Sequence, residues 1–268
     1  VTSPPIRLLP PALLVLLLLA ASLWQPHPPD AIDLDRALLG PGPAHWLGTD
    51  DLGRDLLSRL LAGGARTATV LLVVTAATAL VGGTVGLTAA LAGGHVERIL
   101  LRLADLSVVI PQLVVALALT ALFGLSPVMA GLALAAGGWG GHAIAAYGLA
   151  HRLLAEPFVL SAAALGAGRV RVALVHLLPA VAPTVLVLVA ADAGRAVLNF
   201  AALAFLGLGA DTGGHDWGAM MFEYRDHGLD HPHLLLAPGA AIATVAFVLA
   251  RALDPGVDGP PSAHRHDH

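Results

Sequence analysis

Six stretches of this chain are apolar over the length a helix needs to cross a bilayer, and that feature leaves few folds open. They run from Leu8 to Trp24, Thr67 to Leu91, Leu106 to Phe123, Pro127 to Leu149, Leu177 to Val197 and Leu234 to Leu249. Hydrocarbon offers the backbone no hydrogen-bond partner, so an apolar segment of about 20 residues satisfies itself as a helix. The expected fold is all-α: a polytopic membrane protein of about six transmembrane helices. The chain is 57% hydrophobic and 12% charged, against roughly 25% charged residues in a soluble domain. The first stretch, with Ala20, Ala21 and Ser22 near its end, also has the form of a cleaved signal peptide, although the five later spans favour a retained anchor.

What the chain lacks narrows its chemistry. Cysteine is absent and the net charge is -4, so there are no disulfides or thiolate metal sites. No basic stripe points to nucleic acid. All the basic residues are arginine, and a phosphate-binding Gly-x-x-x-x-Gly-Lys-Ser/Thr loop is impossible without lysine.

The spans divide the chain into an N-terminal anchor and outer loop (1–66), a membrane core (67–254) and a disordered histidine-containing tail (255–268). Short loops rich in arginine stay in the cytoplasm. That rule places the N-terminus inside, with Arg98, Arg102, Arg152, Arg169 and Arg171, and puts the acid-rich segments 25–66 and 205–233 outside. Residues 51–66 read as an amphipathic stretch of the first outer loop.

Several polar residues merit separate weighing. Asp192 and Arg195 stand three apart in the fifth span, so one helix face can hold both. They read first as a structural pair near the outer end, and second as pore lining. His227, His231 and His233 are spaced so that two or three can converge on one ion, and imidazole suits nickel. In His227-Gly228-Leu229-Asp230-His231 the glutamate of a zinc protease motif is missing after the first histidine, and no enzyme is expected.

Three segments in order carry a family resemblance. They are His45-Trp46-Leu47-Gly48-Thr49-Asp50-Asp51-Leu52-Gly53-Arg54-Asp55; Glu156 to Gly168, followed by His176-Leu177-Leu178-Pro179; and Phe205-Leu206-Gly207-Leu208-Gly209 with Trp217-Gly218 downstream. Together they resemble the membrane permease subunits of peptide and nickel ABC importers, most closely the nickel type. The resemblance implies the type I permease fold in a bacterial cytoplasmic membrane. It implies import of nickel, or alternatively of di- or oligopeptides, and no cofactor in this chain. The implied partners are a second homologous permease, two subunits that hydrolyse ATP, an external substrate-binding protein and membrane lipid.

It also implies that the inner segment contacts the ATPase through Glu156, Pro157, Phe158, Leu160, Ser161, Ala162, Leu165 and Gly166. The residues themselves favour a short surface helix. Glu156 suits the cap and Pro157 the first turn, while Gly166 and Gly168 suit a stop.

Overall fold

The computed structural model describes residues 8–208 and 214–252. Asp211, Asp254 and the histidine-bearing tail lie outside them. Helices carry the structure: α1 (Leu9–Ala21), α2 (Leu56–Ala92), α3 (Gly94–Val109), α4 (Gln112–Phe123), α5 (Pro127–Gly138), α6 (Gly140–Leu154), α7 (Pro157–Ala164), α8 (Leu178–Leu203), α9 (Trp217–Glu223) and α10 (His233–Ala252). Among the described residues the only extended pairing is the single bridge between Thr49 and Asp55.

Each expected span has a counterpart, but two are broken. Leu56–Ala92, Arg169–Leu206 and His233–Arg251 are each long and apolar enough to cross a membrane as one helix. The pair α3 and α4 bends by 88°, and the pair α5 and α6 by 54°. Pro111 causes the first break, because its ring holds Ile110 extended (ψ 124) and its missing N–H ends the ladder. The second falls in the glycine-rich run at Trp139, the C-cap of α5. Leu9–Ala21 is a shorter apolar helix of 13 residues.

Two boundaries differ from the expectation. Residues 56–66, expected in an outer loop, form the first turns of α2, which runs unbroken for 37 residues. The apolar period simply continues upstream, and Asp55 supplies the N-cap by accepting from the Ser58 N–H. Gly168 does not end the surface helix. It starts the next one, its carbonyl accepting from Val172 N–H at 3.0 Å.

Burial follows α2 from end to end. Leu56 and Leu60 pack with Trp217, Met220, Tyr224 and Leu234 at one end. Val70 and Val74 pack with Leu134 and Phe200 midway. At the other end Leu87 and Leu91 meet the cluster of Ala146, Val159, Leu177 and Val181. Small residues set the spacing: a methyl group on Gly86 would lie 2.4 Å from the Ala143 carbonyl oxygen. Outside, Leu13, Leu80, Leu122, Phe123, Leu236 and Phe247 are exposed, an outer surface suited to lipid.

Candidate functional site

Three features stand out on this apolar bundle: a polar capped end, a polar pocket at mid-depth and a surface helix at the opposite end.

The capped end is built by the segment His45 to Asp55. Gly48 and Gly53 take φ of 83° and 74°, which lets the chain fold back so that Thr49 bridges Asp55. Asp50 is fully buried. One oxygen accepts from the main chain of Leu52 (3.0 Å) and Arg54 (2.9 Å). The other accepts from Arg54 Nε (2.6 Å), Arg59 Nη1 (2.5 Å) and the Tyr224 hydroxyl (3.1 Å). Both guanidiniums continue to Glu223 at the end of α9. Arg66 makes a two-pronged contact with Asp216 at 2.7 and 3.0 Å, and Trp217 Nε1 donates to the Leu60 carbonyl. The network clamps the start of α2 to α9. Burial pushes the Tyr224 hydroxyl well above its ordinary value against the pull of Arg59, so it remains a donor.

Among the described residues, two sets of three side chains bring a potential metal ligand atom within 4.8 Å of one another: His27, His45 and Asp55, and Asp50, Asp51 and Glu223. Both already have internal partners. Arg54 and Arg59 neutralise the acidic set. In the other, His45 Nδ1 donates to Asp55 Oδ1 at 2.9 Å, while Asp55 Oδ2 caps α2 through Ser58. His227, His231 and His233 form no such set. The rings of His231 and His233 stand 6.0 Å apart, nearly perpendicular.

Asp55 makes the cap sensitive to acid. Burial works to raise its carboxyl, but hydrogen bonds from Ser58 and His45 outweigh burial and hold it below the ordinary carboxylate value. A depressed carboxyl contributes stability above its unfolded pKa of about 3.9, and loses it as pH falls through the folded value. Asp55→Ala is therefore expected to cost about 1–2 kcal/mol at neutral pH, a deficit that closes below about pH 4. Trp46 and Trp217 give a fluorescence readout. A gap that persists unchanged into acid would assign the effect to something other than the carboxylate.

The mid-depth pocket corrects the sequence expectation for Asp192 and Arg195. They lie level with Val74 and Thr78, close to the middle of α2, and not near an outer end. Asp192 is shared between His142 Nε2 (3.2 Å) and Arg195 Nη2 (3.0 Å). Gln112, the first residue of α4, donates to the Leu134 carbonyl (2.8 Å) and accepts from Asn199 (3.2 Å). Gln112 and His142 signalled themselves in sequence only as polar residues within or beside spans.

The surface helix α7 lies beside the ends of α2 and α6. Pro157 opens it, and the Glu156 carbonyl accepts from Val159 and Leu160. Val159 is its buried anchor, 2% exposed, whereas Phe158, Leu160 and Leu165 are 51%, 56% and 89% exposed. Ser161 turns its hydroxyl onto the Pro157 carbonyl. Gly166, at φ 90°, stops the helix, with Ala167 N–H donating to the Ala162 carbonyl, the six-to-one bond of a glycine C-cap. Most residues expected to contact an ATPase thus share one short, apolar, outward-facing element.

The comparisons agree with this architecture. Residues 82–258 match the family described as "Binding-protein-dependent transport system inner membrane component". The nickel transport system permease protein NikC of Escherichia coli (strain K12) is 37% identical over 245 residues, covering 89% of this chain and 87% of that one. A probable D,D-dipeptide transport system permease protein, DdpC, of the same organism is 36% identical, covering 88% and 80%. The glutathione transport system permease protein GsiD of Pectobacterium atrosepticum is 33% identical, covering 86% and 78%. With helices able to span a membrane, a family match over most of its length and these relatives, the chain belongs to the inner-membrane permeases of binding-protein-dependent ABC importers.

Proposed function

We propose that this permease carries nickel across the cytoplasmic membrane. It works beside a second, similar permease, two ATP-hydrolysing subunits and an external binding protein. The observation that carries the nickel reading is the 37% identity to a nickel permease over 89% of the chain. The acidic residues of the capped end support it, since Asp30, Asp33, Asp35, Asp51 and Asp226 would draw cations to an outer face. In this reading the capped end faces outward and receives the binding protein, while α7 and the N-terminus are cytoplasmic. Dipeptide import is the second reading, supported by 36% identity to a dipeptide permease.

The coupling role belongs to α7. Exposed Phe158, Leu160 and Leu165 are the apolar anchors that a groove on an ATPase would take, and the blunt glycine stop makes the element a short lever. Glu156, Pro157, Ser161, Ala162 and Gly166 shape the helix.

Uptake of radioactive nickel by cells expressing the complete transporter, with and without this chain, tests the cargo. Labelled dipeptide runs in parallel, and a complex unable to hydrolyse ATP controls for leakage. Nickel uptake that needs the chain and ATP is the expected result; uptake of dipeptide alone would move the cargo to the second reading. Leu165→Asp is expected to lower uptake at least tenfold, because it buries an unpaired charge at the contact. The complex should still fold, because Leu165 touches little of its own chain. Uptake at the normal rate would remove α7 from the coupling path.

A further inference from the structure

Midway through the bundle the chain carries a polar face that its own residues do not cover. Three features mark this depth. Val74 is the middle residue of α2, the 88° break of the α3 and α4 pair falls at Pro111, and the 54° bend of the α5 and α6 pair falls beside Gly138. Beside the two breaks lies a cavity of about 300 Å³, lined in part by Gln112, His142, Asp192 and Arg195, at the lower end of the volumes that hold small solutes.

The hydrogen bonding within this group is uneven. His142 uses both ring nitrogens, on Gly138 O (3.1 Å) and Asp192. Asp192 uses both oxygens, on His142 and Arg195. Gln112 and Asn199 hold each other. Among the described residues Arg195 is paired only with Asp192, through one nitrogen, and its side chain is 72% exposed. A guanidinium within a spanning helix does not face hydrocarbon; it borders water or protein. Its remaining N–H groups form a planar fork that matches a carboxylate. The adjoining Asp192, 42% exposed, disfavours multiply charged anions and tolerates a solute that also carries positive charge.

We infer that Arg195 is a carboxylate-binding contact on the translocation path, engaging a carboxylate of a solute that bears both signs of charge. That chemistry has two sources: the C-terminus of a dipeptide, or a carboxylate of a small amino-acid chelate of nickel. The inference rests on the import reading above. Asp192 competes for the same guanidinium, which keeps the contact weak enough for the solute to move on.

The test uses the complete transporter with its binding protein in proteoliposomes. Nickel is offered with histidine or with imidazole, and alanyl-alanine is offered against its C-terminal amide. Arg195→Gln is expected to lower uptake of the carboxylate-bearing forms about 10- to 100-fold, Arg195→Lys to keep part of it, and the carboxylate-free forms to be unaffected. Loss confined to nickel with histidine assigns the chelate; loss confined to alanyl-alanine assigns the peptide. Equal loss with and without a carboxylate, or no loss, overturns the inference.

A second readout does not depend on the cargo. The chain has no cysteine, so Asn199→Cys places a single thiol one turn from Arg195. An anionic sulfonate thiol reagent should label that chain about tenfold faster than its cationic ammonium counterpart, and Arg195→Gln should abolish the preference. No labelling, or a preference indifferent to Arg195, overturns the inference. If the wild-type transporter moves neither nickel nor dipeptide, the cargo reading fails, and this labelling alone decides the role of Arg195.

Discussion

Replacing Arg59 with methionine is expected to cost about 3–5 kcal/mol and to leave little folded permease in the membrane. Arg59 is 2% exposed and holds two acids, Asp50 on one side and Glu223 on the other. Removing it leaves Asp50, fully buried, with one guanidinium where two had been, beside Asp51 and Glu223. Asp51 is already strained in this sense, since burial and the charges of Asp50 and Glu223 raise its carboxyl above the ordinary value. The measurement is the thermal midpoint of the detergent-purified transporter. Combining Arg59→Met with Asp50→Asn should cost less than the sum of the two single changes, because the orphaned charge disappears with its partner. Arg66→Met should cost a similar amount, because it strips the guanidinium from Asp216, which is only 1% exposed. A variant with Arg59→Met that melts like the wild type would show that the network adds no net stability.

The second large effect concerns a helix contact with no polar chemistry. Gly86→Leu is expected to force α2 away from α6 and to lower both membrane abundance and uptake more than tenfold. A side chain there meets main-chain atoms, the Ala143 carbonyl oxygen at 2.4 Å and the Tyr147 nitrogen at 2.8 Å, and the Ala146 methyl at 2.7 Å. None of these can swing aside as the end of a long side chain would, so the helix itself must shift, at a cost of about 1–3 kcal/mol or more. Gly83 provides the control. It lies three residues earlier on the same helix, with nothing within 4 Å of an added methyl, and Gly83→Leu should leave abundance and uptake near wild type. Similar losses at both positions would mean that glycine serves α2 through backbone flexibility rather than close packing.

The relation between sequence and structure differs from one feature to the next, and the difference follows the range of the interactions. The apolar stretches alone determined an all-α membrane fold, because a backbone in hydrocarbon satisfies itself through bonds four residues away. The glycine stop of α7 was equally legible, since left-handed geometry at Gly166 is a property of one residue. The break at Pro111 falls inside what reads as one apolar span, and nothing local gave its 88° angle.

The polar sites are another matter. Asp50 and Tyr224 are 174 residues apart, and Arg59 and Glu223 are 164 apart. Only the approach of α9 to the start of α2 turned the motif around Asp50 into a clamp. His227, His231 and His233, close in sequence, form no set of three ligand atoms within 4.8 Å of one another. Asp192 and Arg195 could be paired from their helical spacing. Their depth, and the exposure of Arg195 beside two broken helices, were decided by packing alone, because a helix repeat fixes which residues share a face but not what that face meets.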